Sequence, residues 1–172
     1  MNQTTLDHVS HVPFSAETQA LFAREVAKFP AAQKQSAVMA CLSIIQNERG
    51  WVSRAAEDEL AAYLGMASIA VYEVTTFYNM YNQQPVGKFK INVCTNLPCQ
   101  LRDGQAALAH ICKKLDVAVG GTTADGQFTV QQSECLGACA DSPVMLINDR
   151  EMISFMSNDR IDDLLATLAQ AK

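Results

Sequence analysis

The chain has 172 residues, 49% hydrophobic and 18% charged, with a formal net charge of −5. This is ordinary globular composition, enough for one medium domain or two small ones, and it excludes a disordered or fibrous chain. The 13 basic residues are dispersed, which argues against a phosphate-tracking surface, and no apolar run reaches the ~20 residues that a membrane-spanning helix needs.

Met1 to Asp7 offers neither a basic stretch followed by an apolar one nor the Arg-rich character of a transit peptide, so the expected location is the cytoplasm of a bacterium. Ser15 is placed to cap a first helix in which Phe22, Val26 and Phe29 recur at helical spacing until Pro30 stops it. A second helix carries Val38, Cys41, Leu42 and Ile45 on one face, with Gly50 at the expected C-terminal position. Ser53 caps a third, with Ala56, Leu60, Tyr63 and Leu64 on its stripe and Gly65 at its end. A fourth starts near Ser68 and runs through Val71 and Val74 towards Phe77 and Tyr78. Short amphipathic helices with short connections make a small bundle.

The pattern changes at Asn82-Gln83-Gln84-Pro85-Val86-Gly87, which sets a domain boundary between residues 1–84 and 85–172. Lys88 to Val93 alternates as a strand does. A loop and a helix opened by Asp103 follow, with Leu108, Ile111, Cys112 and Leu115 on the helix stripe. Gly120, Gly121 and Asp125-Gly126 mark turns before a second strand around Phe128 and Val130. Val144 to Ile147, a turn at Asn148-Asp149-Arg150 and Glu151 to Phe155 form a hairpin, and the last helix carries Ile161, Leu164, Leu165 and Leu168. The fold class is α+β: a helical bundle, then an α/β layer with a mixed sheet.

Six cysteines in a reducing compartment are more often metal ligands or redox groups than structural disulfides. Cys41 and Cys112 lie on helix stripes and read as small core hydrophobes. The other four form two pairs, Cys94/Cys99 directly after the first strand and Cys135/Cys139 shortly after the second. If the intervening helix makes these strands parallel, both loops leave the sheet at the same end and the pairs can meet. Four thiolates suit either one tetrahedral zinc or a 2Fe–2S cluster with two sulfurs on each iron. A dithiol redox site is the third option, but it wants a C-x-x-C pair that is absent here. Leu136, Gly137, Ala138, Leu97 and Pro98 around the pairs are small or apolar, and Gly137 and Ala138 let backbone N–H groups approach sulfur. Lys88, Lys90 and Arg102 could offset cluster charge or simply be solvated.

The remaining features have structural readings. Trp51 packs between helices two and three, and Phe77, Tyr78 and Tyr81 form a packing cluster before the boundary. His8, His11 and His110 are scattered and hold no metal, and Asp162-Asp163 complement the dipole in the first turn of the last helix. No phosphate-cradling glycine motif is present, so the chain should bind no nucleotide by itself. The acidic balance and lack of a basic recognition helix argue against DNA binding by the bundle.

Several stretches resemble a known family: Gln46-Asn47-Glu48-Arg49-Gly50-Trp51-Val52, Glu73 to Tyr78, Pro85-Val86-Gly87-Lys88 through Val93-Cys94-Thr95-Asn96-Leu97-Pro98-Cys99, and Glu134-Cys135-Leu136-Gly137-Ala138-Cys139. The chain is similar over residues 15–170 to the 24 kDa iron–sulfur subunits of bacterial respiratory complex I, the NADH:quinone oxidoreductase. The resemblance implies a thioredoxin-like ferredoxin domain behind the helical bundle, with a 2Fe–2S cluster on Cys94, Cys99, Cys135 and Cys139. It implies no catalytic residue on this chain and a flavoprotein partner that carries FMN and NADH, alongside other peripheral-arm subunits on the cytoplasmic side of the inner membrane. The cluster would exchange electrons with the partner's flavin. Pro143, just before a strand, stands where thioredoxin-like proteins often carry a cis-proline. Related subunits serve NAD-linked formate dehydrogenases and bidirectional hydrogenases, and a zinc-stapled interaction module is the alternative of another class.

Overall fold

A computed structural model describes residues 13–171. His8 and His11 lie outside the described residues. The chain divides into two compact units, Met1–Pro85 and Val86–Lys172.

The first unit is helical: α1 (Ala16–Val26), a 3₁₀ segment (Ala31–Ala37), α2 (Val38–Arg49), α3 (Arg54–Leu64) and α4 (Ser68–Phe77). The caps are those expected from the sequence. Ser15 Oγ accepts from Thr18 N–H and Ser53 Oγ from Ala56 N–H, while Gly50 and Gly65 end α2 and α3 at φ +79° and +68°. α1 ends three residues earlier than its apolar spacing suggests, and Phe29 is exposed. The cause is Pro30, which disfavours helical backbone in the residue before it. Phe22, Leu42, Ile45, Leu60, Leu64, Val71 and Tyr81 fill the core together with Cys41. Each buried side chain of the larger kind stabilises the unit by about 1.5–3 kcal/mol. The core also holds a carboxylate: Glu57 accepts from the Thr75 hydroxyl at 2.5 Å and from Arg54 Nη1 at 2.7 Å, which satisfies both of its oxygens. Trp51 is half-buried outside this core, and of the expected aromatic cluster only Tyr81 is buried, its hydroxyl donating to Met39 O at 2.9 Å. Phe77 is 79% exposed.

The second unit runs β1 (Phe89–Cys94), α5 (Leu97–Gln100), α6 (Gly104–Leu115), β2 (Phe128–Ser133), β3 (Met145–Ile147), β4 (Glu151–Ile153) and α7 (Asn158–Gln170). The sheet order is β2-β1-β3-β4, with β1 parallel to β2 and the other pairs antiparallel, so the sheet is mixed. Alternation sends Ile91, Val93, Phe128, Val130, Met145 and Ile147 into one core with Leu108, Ile111, Ile161 and Leu165. Cys112 is half-buried at the edge of that core, less enclosed than its stripe position suggests.

Three features of this unit depart from expectation, the first of them on the other sheet face. Lys90 is only 2% exposed and its Nζ lies 2.5 Å from Asp149 Oδ2, so it is neither solvated nor free to serve the cysteines. Asn92 Nδ2 donates to the same carboxylate at 2.7 Å. The return strand stops at Ile153 because Phe155 adopts φ +53°, its N–H held by Asp141 O at 2.8 Å. Asp162 and Asp163 fall in the second turn of α7, not the first. Asp162 instead meets His110 Nε2 at 2.8 Å and Lys114 Nζ at 2.7 Å, and Lys114 first, then His110, hold its carboxyl below the usual carboxylate range.

Candidate metal centre

Parallel pairing of β1 and β2 is what brings the two cysteine loops to one end of the sheet. Cys94 closes β1 opposite Ser133, the last residue of β2, and Thr95 N–H donates to Ser133 O at 3.0 Å. Cys135 follows two residues later. Shortly after Cys94 the chain turns into α5, too short for any periodicity to announce it, and Cys99 sits on its inner side. Leu97 and Leu101, at the two ends of this helix, face outward.

Cys94, Cys99 and Val144 form a small buried cluster with Leu136 and Ala138 packed on it. The first pair is therefore enclosed by residues of the second loop. Cys94 Sγ donates to Glu134 O at 3.6 Å, and Cys99 Sγ lies 3.4 Å from Ser142 Oγ. Gly104, the first residue of α6, matters for the same enclosure. A Cβ there would stand 2.8 Å from the carbonyl oxygens of both Cys94 and Cys99, so its absence lets α6 abut both.

The second pair is different. Cys135 and Cys139 are exposed, and their loop is fixed through its backbone. Gly137, at φ +77°, aims its N–H at Cys135 Sγ at 3.4 Å. Ser142 Oγ donates to Cys139 O at 2.7 Å, and Met156 N–H donates to Pro143 O at 3.0 Å, behind the cis Ser142–Pro143 bond. Among the described residues no three His, Cys, Asp or Glu side chains gather closely enough to hold a metal ion. The fold thus brings both loops together and pairs Cys94 with Cys99, while Cys135 and Cys139 are exposed.

Burial pushes both inner thiols up, and polar neighbours oppose it. At Cys94 burial wins over the N–H groups of Asn96 and Leu136, and the thiol lies above its ordinary value. At Cys99 the Ser142 hydroxyl, the Val144 N–H and the Cys94 thiol outweigh burial, and the net direction is down. Sequence reasoning anticipated donors from Gly137 and Ala138. It missed Asn96, Leu136, Ser142 and Val144, for which the only signal was their closeness to the ligands in the chain.

The family model for thioredoxin-like 2Fe–2S ferredoxins matches residues 22–169. The chain belongs to this ferredoxin family. Its relatives include an NADH-quinone oxidoreductase subunit of Rickettsia conorii, 41% identical over 143 residues, 82% of this chain and 85% of that one. A second NADH-quinone oxidoreductase subunit, from Thermus thermophilus, is 32% identical over 92% of this chain and 88% of that one. The mitochondrial NADH dehydrogenase (ubiquinone) flavoprotein 2 of Dictyostelium discoideum is 40% identical over 84% of this chain, which spans 60% of that protein's length. Among solved structures, an NAD+-reducing NiFe-hydrogenase in the H2-reduced state matches 78% of this ferredoxin and 22% of its own chain, with a TM-score of 0.67 at 24% identity. That likeness is one of fold.

Proposed function

We propose that this chain is the electron-transfer subunit of an NADH:quinone oxidoreductase. It would hold a 2Fe–2S cluster on Cys94, Cys99, Cys135 and Cys139 and exchange single electrons with FMN on a partner flavoprotein that also binds NADH. The observation that carries the reading is the meeting of two cysteine loops at one sheet end, in a chain whose relatives are NADH-quinone oxidoreductase subunits along most of its length.

The donor chemistry supports the ligand set. All four groups are soft sulfurs, and N–H groups of Asn96, Leu136, Gly137 and Val144 approach three of them, as thiolate ligands require. A bound 2Fe–2S centre supplies a one-electron store, formally about −2 when oxidised and about −3 when reduced. Leu136, Ala138 and Val144 keep water from the inner pair, which opposes added charge, while the N–H groups favour it. The exposed Leu97 and Leu101 beside Cys99 give the site an apolar rim suited to a protein partner. No described helix is long and apolar enough to cross a membrane, so a place on the cytoplasmic side would come through partner subunits. In this reading the chain supplies no acid, base or nucleophile for substrate chemistry, and its contribution is to hold and insulate.

Purification with its partners tests the reading. The expected complex is red-brown, and this chain isolated from it contains about two irons and two sulfides and gives a paramagnetic signal after dithionite. Colourless protein with a single zinc would overturn it. Co-purifying hydrogenase or formate dehydrogenase subunits would reassign the host complex while keeping the cluster.

A further inference from the structure

We infer that the Ser142 hydroxyl tunes the electron affinity of the site, as a hydrogen-bond donor that the Cys99 sulfur and the Cys139 carbonyl share. The inference rests on the ligand assignment proposed above and adds a residue that is not itself a ligand.

Ser142 is fully buried, and its Oγ stands between the two cysteine loops, 3.4 Å from Cys99 Sγ and 2.7 Å from Cys139 O. As a free thiol, Cys99 can donate to this oxygen. Once bound to iron it has no proton, and the only hydrogen available between the two atoms is the hydroxyl's own. That single proton has two acceptors, one on each loop. Directed at Cys139 O, it ties the second loop. Directed at Cys99, it stabilises negative charge on sulfur. Added negative charge at a bound cluster would be shared by its ligand sulfurs and would favour the orientation towards Cys99. The position is sheltered from water, which would otherwise compete for the bond, so the hydroxyl acts at close to full strength. The Val144 N–H also serves Cys99, but its direction is set by backbone. Ser142 alone among these donors can rotate.

Ser142→Ala removes the hydroxyl and nothing else. In the purified complex, redox titration followed by the paramagnetic signal should show reduction of this centre about tenfold less favourable, a shift of about 59 mV to lower potential for a one-electron couple. Ser142→Thr, which keeps a γ-hydroxyl, should restore the native potential. A change below twofold, about 18 mV, in the alanine variant would overturn the inference. So would equal shifts in both variants, which would show that the effect does not depend on the hydroxyl. An alanine variant without a cluster beside a threonine variant that keeps one would assign the hydroxyl to tying the loop, and would also refute the tuning role. Failure of the ligand assignment is separately visible, because the native complex would then lack this centre's signal altogether.

Discussion

Replacing Gly137 with alanine isolates backbone strain in the second cysteine loop. Gly137 has φ +77°, and a Cβ placed there meets nothing within 4 Å. Steric crowding therefore adds nothing, and the cost is that of holding an L-residue in the left-handed region, about 1–2 kcal/mol. The loop can escape only by rotating φ, which turns the N–H away from Cys135 Sγ and gives up a hydrogen bond that would be worth about 1.5–3 kcal/mol with that sulfur as a ligand of the proposed cluster. By either route the loop loses about 1–3 kcal/mol, and cluster retention should fall by roughly tenfold for each 1.4 kcal/mol. Gly126 provides the control. It has φ +71°, it too has open space at its Cβ, and it lies in the turn before β2. Both alanine variants should lower the unfolding temperature, by about 4–8 °C per kcal/mol in a unit of this size. Only Gly137→Ala should speed the bleaching of visible absorption when the native complex is challenged with an iron chelator. Equal bleaching of the two variants, or native bleaching in Gly137→Ala, would refute the claim that this glycine positions the cysteine loop.

Two further outcomes follow from buried groups. Burial first, and the charge of Glu25 second, push the Cys41 thiol up from 9.0 to about 11, so the folded chain holds this proton more tightly than the unfolded chain. The associated stability, about 2–3 kcal/mol, is complete below about pH 9 and is lost as pH rises through 11. Cys41→Ala should flatten the dependence of the urea midpoint on pH between pH 9 and 11, and an unchanged slope would count against that assignment. Asp149→Asn leaves the buried Lys90 ammonium without its counter-charge and should cost about 3–5 kcal/mol, whereas Lys90→Met combined with Asp149→Asn should recover most of it. Equal thermal stability of the single and double variants would show that the ion pair is not what Asp149 contributes.

By itself the sequence determined the features that depend on near neighbours. Helix stripes, the serine caps of α1 and α3, the glycine ends of α2 and α3 and the alternation of β1 and β2 are set by local backbone preference and by which side chains repel water. The two cysteine pairs and their flanks were likewise enough to name the family.

Tertiary structure decided what depends on a face meeting another element. Alternation placed Lys90 opposite the apolar core but could not supply Asp149, whose position depends on the β3–β4 turn. Asp162 found Lys114 and His110 because α6 and α7 pack on the same sheet face, not because of the helix dipole. Near the cysteines, the chain order shows four similar thiols. Only the fold makes Cys94 and Cys99 an enclosed pair, leaves Cys135 and Cys139 at the surface, and sets one serine hydroxyl between the two loops. The reason is that parallel pairing and the close approach of α6 fix which sulfur is shielded from water, and spacing along a chain carries no information about shielding.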